Sequence, residues 1–314
     1  MLSSTSRLTA GLAFALVSAC SFGLSGAMAR SLLDIGWTAG AAVTLRITIG
    51  ALALMIPAAI SMTGRWHTFR EPRVIGSLVG YGVLAVAVPQ LCYFYAVQTL
   101  QVGVALLIEY TAPVVVIAWM WIRHRQRPTL LTFVGAVVAA AGLTLVLQIF
   151  GSVSLDAAGV AWALGAMVGA AGYFVMSGNS APEIPGIAMA AGGLLSAAVM
   201  LGLSGAVGVL PMSMSTDDVQ LAGNTTPWWV PMAILGLVTA ALAYATGIAA
   251  TPRLGPRLAS FVALAEVLAA IIAAWMFLGE VPAAIQLAGG ALIVAGVVVV
   301  KLGERPGEPE TIAV

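Results

Sequence analysis

Three charged side chains are unusual because they lie inside long apolar segments of this 314-residue chain. Arg46, Glu109 and Glu266 are the only Asp, Glu, Arg or Lys residues that lie well inside such segments. Placing one charge at the centre of a bilayer costs on the order of 3 kcal/mol or more. Each of the three is therefore expected to face a cavity or a partner, which is typical of a pathway for solutes or ions.

Arg46 and Glu109 are predicted to lie at the same depth. Counted from the predicted outer ends of their segments, near 37 and 101, they are nine and eight residues in. At about 1.5 Å per residue, both lie roughly 12–14 Å below the outer surface. The sequence predicts either a direct charge pair or joint binding of a zwitterionic solute. A permanent pair that only locks two helices together fits the same pattern.

Glu266 lies about nine residues from the predicted inner end of its segment, near 257. Small residues surround it at helical spacing, at Ala263, Ala270 and Ala273, and they leave room for a cavity or for tight packing. A carboxyl group at this depth is a candidate for carrying a coupling proton. The alternative is a neutral Glu266 that is bonded to a neighbouring backbone carbonyl.

Five further polar side chains lie deep in apolar segments and are candidates for lining the same cavity: Gln90, Tyr93, Tyr110, Tyr173 and Tyr244. A Tyr that only anchors a helix lies near the membrane surface. No HExxH, CxxC, Walker or GxGxxG pattern occurs in the chain. The sequence therefore predicts no catalytic residue, no metal and no cofactor.

The composition identifies the elements that must position these residues. The chain is 61% hydrophobic and 8% charged, whereas a soluble domain has about 25% charged residues. A helix that crosses a bilayer needs about 20 mostly apolar residues. We therefore predict an all-α integral membrane protein with ten transmembrane helices, near 8–28, 37–60, 74–97, 101–122, 129–150, 157–177, 186–209, 228–250, 257–279 and 282–301.

The basic residues predict the orientation. If the N-terminus is cytoplasmic, eleven of the 13 Lys and Arg residues lie in inner loops or tails, Arg30 lies outside and Arg46 lies within a helix. This bias predicts that both termini are cytoplasmic, in the inner membrane of a cell. The longest outer connection, 210–227, is predicted to be a flexible cap, and 302–314 a disordered cytoplasmic tail. A net charge of +1 indicates no nucleic acid partner.

A stretch of the chain occurs twice. Five residues recur with a constant offset of 154 (275 − 121): Trp121, Pro128, Gly135, Ala141 and Gly142 as Trp275, Pro282, Gly289, Ala295 and Gly296. Each copy closes a block of five apolar segments, which we name the first block (8–150) and the second block (157–301). Because five is odd, the second block must enter the membrane from the opposite side. Inverted repeats of this kind are typical of secondary transporters.

The second block also contains a motif that is typical of a known transporter family. The second block resembles the drug/metabolite transporter superfamily, in its branch of paired EamA domains, through Phe277-Leu278-Gly279-Glu280, Pro282, Gln286, Gly289 and Gly296. Arg46 matches an Arg common in the second helix of that family. Two positions depart from the pattern, since the first block has Arg125-Gln126-Arg127 in place of Gly-Glu, and Leu194 is the counterpart of Arg46. The stretch Glu109-Tyr110-Thr111-Ala112-Pro113 is similar to the threonine/homoserine exporter branch.

The resemblance implies a secondary transporter that works by alternating access. We expect it to move a small metabolite, such as an amino acid, outward, with the lipid bilayer as its surroundings and protons as a candidate coupling ion. A multidrug efflux protein is the alternative. A membrane-embedded enzyme is disfavoured because Gly23-Leu24-Ser25-Gly26 does not complete a nucleophile motif. A channel is disfavoured because the buried charges do not form rings. The sequence does not specify an oligomeric state.

Overall fold

The computed structural model describes residues 4–124, 129–146, 155–177 and 184–303, and almost all of them are helical. The α-helices are α1 (Ser4–Asp34), α2 (Ala39–Ser61), α3 (Pro72–Tyr81), α4 (Val88–Ala96), α5 (Val102–Glu109), α6 (Ala112–His124), α7 (Leu130–Val146), α8 (Ala157–Ser177), α9 (Gly186–Ala206), α10 (Trp229–Ala233), α11 (Ala243–Ala263), α12 (Ala265–Leu278) and α13 (Ala284–Gly303). A 3₁₀ helix covers Trp66–Arg70, and π-helical segments cover Gly82–Ala87 and Ile234–Leu242.

Five helical stretches of the described chain are long and apolar enough to cross a membrane: Leu8–Asp34, Ala39–Ser61, Pro72–Ala96, Gly186–Ala206 and Trp229–Leu254. Five shorter apolar helices accompany them, at Val102–Val116, Leu130–Val146, Ala157–Gly172, Ala265–Leu278 and Ala284–Val300. The predicted all-α membrane class is confirmed. The number of ten crossings stays a prediction.

Helix α1 extends beyond its predicted end near residue 28. Arg30 and Asp34, one helical turn apart, form an ion pair with 2.8 Å between Nε and Oδ1, and this pairing supports the last turn. Helix α13 likewise continues to Gly303, whose carbonyl accepts a hydrogen bond from Thr129 Oγ1. The first two residues of the predicted tail are therefore helical, and 304–314 lie outside the described residues.

The connection 210–227, predicted to be a flexible cap, contains an ordered hairpin. Strands β1 (Val219–Leu221) and β2 (Asn224–Thr226) pair in antiparallel register. Ala222 and Gly223 form the turn with φ of 52° and 75°, as a tight hairpin requires. Ala222 N donates to the Phe277 carbonyl at 2.9 Å, which attaches the hairpin to α12. The sequence did not predict this hairpin, because a tertiary hydrogen bond between backbone atoms has no signature in the sequence.

The chain reverses direction between Leu254 of α11 and Ala269 of α12. Gly11 of α1 contacts Leu254 of α11, and Ser18 Oγ donates to the Ala243 carbonyl, so α1 and α11 are antiparallel. Gly23 contacts Ala269 of α12, and Arg30, farther along α1, lines one cavity with Phe277, farther along α12, so α1 and α12 are parallel. The backbone at 251–257, predicted to be a loop, is helical in the structure.

The irregular helical segments occur at equivalent positions of the two blocks. With the repeat offset of 154, the π-helical segment Ile234–Leu242 corresponds to residues 80–88, and the other π-helical segment, Gly82–Ala87, lies within that range. A short interruption of regular helical bonding at Tyr110 recurs at Leu264, again 154 residues later, and both residues keep right-handed helical dihedral angles. In the first π-helical segment, Val88 N donates to the Val83 carbonyl, five residues back. The following residue, Pro89, has no N–H to continue the regular bonding.

The duplicated glycines form the closest contact between helices α7 and α13. A Cβ atom placed on Gly135 would lie 2.6 Å from the Gly296 carbonyl oxygen, and one on Gly142 would lie 2.6 Å from the Gly289 carbonyl oxygen. Gly135 is the repeat counterpart of Gly289, and Gly142 is the repeat counterpart of Gly296. Gly135 therefore contacts the counterpart of Gly142, and Gly142 contacts the counterpart of Gly135. Such an exchange of partners is the contact that a two-fold axis produces.

Replacing Gly142 by Ala should therefore destabilise the protein. The added methyl group would meet backbone atoms of Gly289 and Ile293, at 2.6 and 2.7 Å, and overpacking of this kind costs about 1–3 kcal/mol. Thermal unfolding in detergent measures the change. Gly202→Ala is the matched control, because Gly202 is also helical and has nothing within 4 Å of its Cβ position. Equal melting temperatures for the two variants would contradict this account of the contact.

Candidate functional site

Arg46 is a buried guanidinium whose hydrogen bonding is incomplete. Its side chain is 3% exposed, and its Nη2 donates to the Thr239 carbonyl at 3.1 Å. The guanidinium also lies over the Phe94 ring, 5.5 Å from the ring centroid, in cation–π geometry. Its Nε is buried and has no hydrogen-bond partner among the residues that the structure describes. An unpaired buried donor is costly, so this one marks a place where a ligand could supply the acceptor.

The acceptor for Arg46 comes from an irregular part of the second block. Thr239 lies in the π-helical segment Ile234–Leu242, and such segments change the regular bonding of backbone carbonyls and frequently occur at functional sites. The Thr239 hydroxyl donates to the Leu235 carbonyl at 2.8 Å, so the side chain is satisfied within its own helix. The backbone carbonyl remains for Arg46.

The two half-buried carboxylates, Glu109 and Glu266, lie beside the two helix interruptions. Glu109 is the last residue of α5, and Glu266 is in the first turn of α12. Interrupted helices that place their ends in the membrane interior are typical of transporter binding sites.

Tyr110 joins the two breaks directly. Its hydroxyl donates to Glu266 Oε2 at 2.8 Å and lies 3.3 Å from the Ala263 carbonyl. Tyr110 belongs to the first break, and Ala263 and Glu266 flank the second one at Leu264. The hydrogen bond therefore connects the first block to the second block at the carboxylates.

The structure brings most of the predicted site residues into one region. Glu109 and Glu266 are close enough to Arg46 for a carboxylate charge to act on it, and Tyr93 and Tyr244 lie within the same range of Arg46. Arg46 and Glu109 do not form the direct ion pair that was one of the predictions. In the described part of the chain, Arg30–Asp34 is the ion pair within 4.0 Å. Arg46 is instead held by the Thr239 carbonyl and the Phe94 ring.

The remaining predicted residues differ in their surroundings. Gln90, Tyr93 and Phe94 share one face of α4, and Gln90 Oε1 is buried without a partner. Tyr93 is buried, and its hydroxyl packs on Gly26 of α1. Tyr244, the repeat counterpart of Gln90, packs edge-on against Phe22, with 5.2 Å between ring centroids. Tyr173 lies in α8, and its side chain lies outside the described atoms.

Two residues of this region were missed from the sequence. Phe94 carries the cation–π contact, but one aromatic residue in an apolar segment gives no distinguishing signal. Its spacing of four residues from Gln90 places both on one helix face, and this spacing was the available clue. Thr239 acts through its backbone carbonyl, which no residue type reveals.

The family of the chain follows from comparison with known proteins. A sequence profile described as the EamA-like transporter family matches residues 9–148 and again 157–302. The chain belongs to this family. It is 31% identical over 271 residues to the threonine/homoserine exporter RhtA of Escherichia coli, covering 85% of this chain and 83% of the relative. The chain is therefore a membrane transporter and not an enzyme, as predicted.

More distant relatives extend this similarity. The threonine/homoserine exporter RhtA of Salmonella typhimurium is 28% identical over 269 residues, covering 85% of this chain and 83% of the relative. An uncharacterized transporter of Bacillus subtilis, YwfM, is 26% identical over 297 residues, covering 93% and 94%. A solved crystal structure with 19% identity matches with a TM-score of 0.59 over 95% of this chain and 97% of that one. At this identity the structural match shows a shared fold alone.

Replacing Tyr110 by Phe should destabilise the protein through loss of the hydrogen bond to Glu266. A hydrogen bond to a charged group contributes about 1.5–3 kcal/mol. A double-mutant cycle with Glu266→Ala, measured by thermal unfolding, should give a coupling free energy of about 1 kcal/mol or more.

Tyr95→Phe is the matched control for this cycle. The Tyr95 ring stacks on Trp162, with 4.6 Å between centroids, and Phe preserves that stack. Its coupling to Glu266→Ala should be negligible. A Tyr110–Glu266 coupling no larger than that of the control would mean that the hydrogen bond contributes nothing to stability.

Proposed function

We propose that the protein is a secondary transporter that exports a zwitterionic amino acid, with the class of threonine and homoserine as the first candidate. The incomplete hydrogen bonding of the buried Arg46 is the observation that carries this proposal. The similarity to threonine/homoserine exporters over most of the chain supports the choice of class. In this proposal, Arg46 binds the carboxylate of the solute and Glu109 binds its ammonium group.

Arg46 is suited to a carboxylate. A guanidinium is a planar fork that can present Nε and one Nη to two carboxylate oxygens at once. Thr239 occupies Nη2, and Nε has no partner in the described structure. A carboxylate from the solute would satisfy this donor and add a countercharge to the buried guanidinium.

Glu109 and Gln90 are suited to an ammonium group. Glu109 is the last residue of α5, and its carboxylate is the charge that an ammonium group pairs with. Gln90 Oε1 is a buried acceptor without a partner, and an ammonium group has three donors to distribute. The aromatic residues Tyr93, Phe94 and Tyr244 contribute walls to this region, and Tyr173 is proposed to do so from α8.

Glu266 is the proposed carrier of a coupling proton. A site with one guanidinium and two carboxylates has one surplus negative charge, and one proton neutralises it. The zwitterion itself adds no net charge. Tyr110 holds the Glu266 carboxyl in place through its hydroxyl, so the proton would enter a defined position rather than a mobile side chain.

The proposed architecture is ten transmembrane helices in two inverted five-helix blocks, 8–150 and 157–301. The equal spacing of π-helical segments and breaks supports it, as does the exchange of glycine contacts between α7 and α13. Transport would proceed by rocking of one block against the other. The distribution of Lys and Arg supports cytoplasmic termini and an inner-membrane location.

The decisive experiment compares solutes that lack one charge. Threonine should stabilise the purified protein against thermal unfolding, by about 2.7 kcal/mol at 100 times its Kd. N-acetylthreonine lacks the ammonium charge and threonine amide lacks the carboxylate, so neither should match threonine. Arg46→Ala should lower threonine affinity by about tenfold or more, because a hydrogen bond to a charged group contributes about 1.5–3 kcal/mol.

Two controls make the result specific. Arg65→Ala and Glu71→Gln remove charges from exposed residues outside the site, and both should bind threonine normally. Glu109→Gln should weaken threonine binding and leave binding of N-acetylthreonine unchanged. If lipophilic cations stabilise the protein and threonine does not, the multidrug alternative is correct and the amino acid proposal fails.

A further inference from the structure

The end of α12 directs a carboxylate toward the first block. Gly279 terminates this helix in the left-handed conformation, with φ of 70°. Its N–H donates to the Trp275 carbonyl, and Glu280 N donates to the Ala274 carbonyl, at 3.1 and 3.2 Å. A non-glycine residue is disfavoured at such a helix end. Gly279 therefore sets the direction in which Glu280 leaves the helix.

Glu280 caps helix α5. Its Oε2 accepts a hydrogen bond from Val102 N at 2.9 Å, which is the first residue of α5. The preceding residue, Gln101, makes no side-chain capping bond of its own. A carboxylate at a helix N-terminus satisfies a free N–H and is favoured by the helix dipole. Glu280 and Val102 belong to different blocks, so this bond joins the two blocks.

Helix α5 connects this bond to the candidate site. It has eight residues, which span about 12 Å at 1.5 Å per residue, and it ends at Glu109. Val102 to Ile108 are all buried, so the helix is held on most sides. A movement of its N-terminus is therefore transmitted to Glu109.

We propose that Glu280 is a positioning residue that couples closure of this end of the protein to the placement of Glu109. The Glu280–Val102 bond holds the blocks together and sets α5 in the position where Glu109 faces Arg46. When the bond opens, the blocks separate at this end and Glu109 moves away. The solute-binding role of Glu109 rests on the proposed function, whereas the tie between the blocks does not.

The surroundings give Glu280 room to move. An open cavity of about 610 Å³ lies beside it and includes Arg30, Asp34 and Gln220 in its lining. Burial raises the pKa of the Glu280 carboxyl, and the bond from Val102 and the charge of Arg30 oppose that shift. Arg30 also donates to the Val97 carbonyl at 2.6 Å. The released carboxylate would therefore enter a polar space beside a cation.

The sequence at the opposite end lacks the two groups that form this tie. The repeat counterparts of Glu280 and Val102 are residues 126 and 256, since both differences equal 154 (280 − 126 and 256 − 102). Residue 126 is Gln and carries no charge, and residue 256 is Pro and has no N–H to donate. The tie is therefore one-sided, and it favours the conformation that is closed at the Glu280 end.

Cysteine accessibility in the absence of solute tests this proposal. Val104 lies in the first turn of α5 and is 1% exposed. In a Cys20→Ser, Cys92→Ser background, Val104→Cys should react slowly with a hydrophilic thiol reagent in detergent. Glu280→Ala should raise the labelling rate about tenfold, which corresponds to about 1.4 kcal/mol. Glu280→Gln should raise it less, because its amide oxygen still accepts a neutral hydrogen bond.

A second variant removes the donor rather than the acceptor. Val102→Pro deletes the N–H, and Pro is well accepted at the first position of a helix, so folding should be preserved. It should raise Val104→Cys labelling as much as Glu280→Ala, and the double variant should show no further increase. Additive effects of the two changes would overturn the proposal. Glu71→Ala, at an exposed residue before α3 that makes no capping bond, is the control and should have no effect.

Binding separates this proposal from the proposed function. Glu280→Ala should lower the affinity for threonine, measured by thermal stabilisation, about tenfold. Glu280→Gln should keep most of that affinity. Unchanged labelling in Glu280→Ala, with normal threonine binding, would disprove the tie and leave the proposed function standing. Increased labelling with no threonine binding in the parent protein would support the tie and disprove the choice of solute.

Discussion

The buried charge of Arg46 is the constraint on which the rest of this site depends. A guanidinium inside an apolar bundle needs acceptors and a polarizable neighbour, and here they come from different parts of the chain. Thr239 supplies a carbonyl from a π-helical segment of the second block, and Phe94 supplies a ring from the first block. Keeping the charge buried therefore keeps the two blocks in register at the depth where the helices break.

The sequence was informative wherever a residue type conflicts with its surroundings. Arg46, Glu109 and Glu266 could be identified because charge is rare in apolar segments, and the structure places them in one region. The all-α membrane class followed from the lengths of the apolar segments. The β1–β2 hairpin could not be predicted, because its order depends on a backbone bond to Phe277 that leaves no pattern in side chains.

The predicted ion pair between Arg46 and Glu109 is absent from the described structure, because equal depth in the membrane is not sufficient to predict a contact. Equal depth does not fix the direction in which a side chain leaves its helix, and a backbone carbonyl can replace a carboxylate as partner. The Leu278-Gly279-Glu280 motif, in contrast, was recognised in the sequence before its physical role was known. It served to recognise the family, and the structure adds a physical reason: the glycine ends a helix in the left-handed conformation, and the carboxylate caps another helix.

The glycine contact between α7 and α13 has a consequence for how such a molecule can be assembled. Gly135 meets Gly296, and Gly142 meets Gly289, so each block contributes one glycine to each of the two contact points. One block alone thus carries both faces of the contact. Two separate copies of a single block, inserted in opposite orientations and related by a two-fold axis, would have the complementary surfaces needed to associate without any additional sequence.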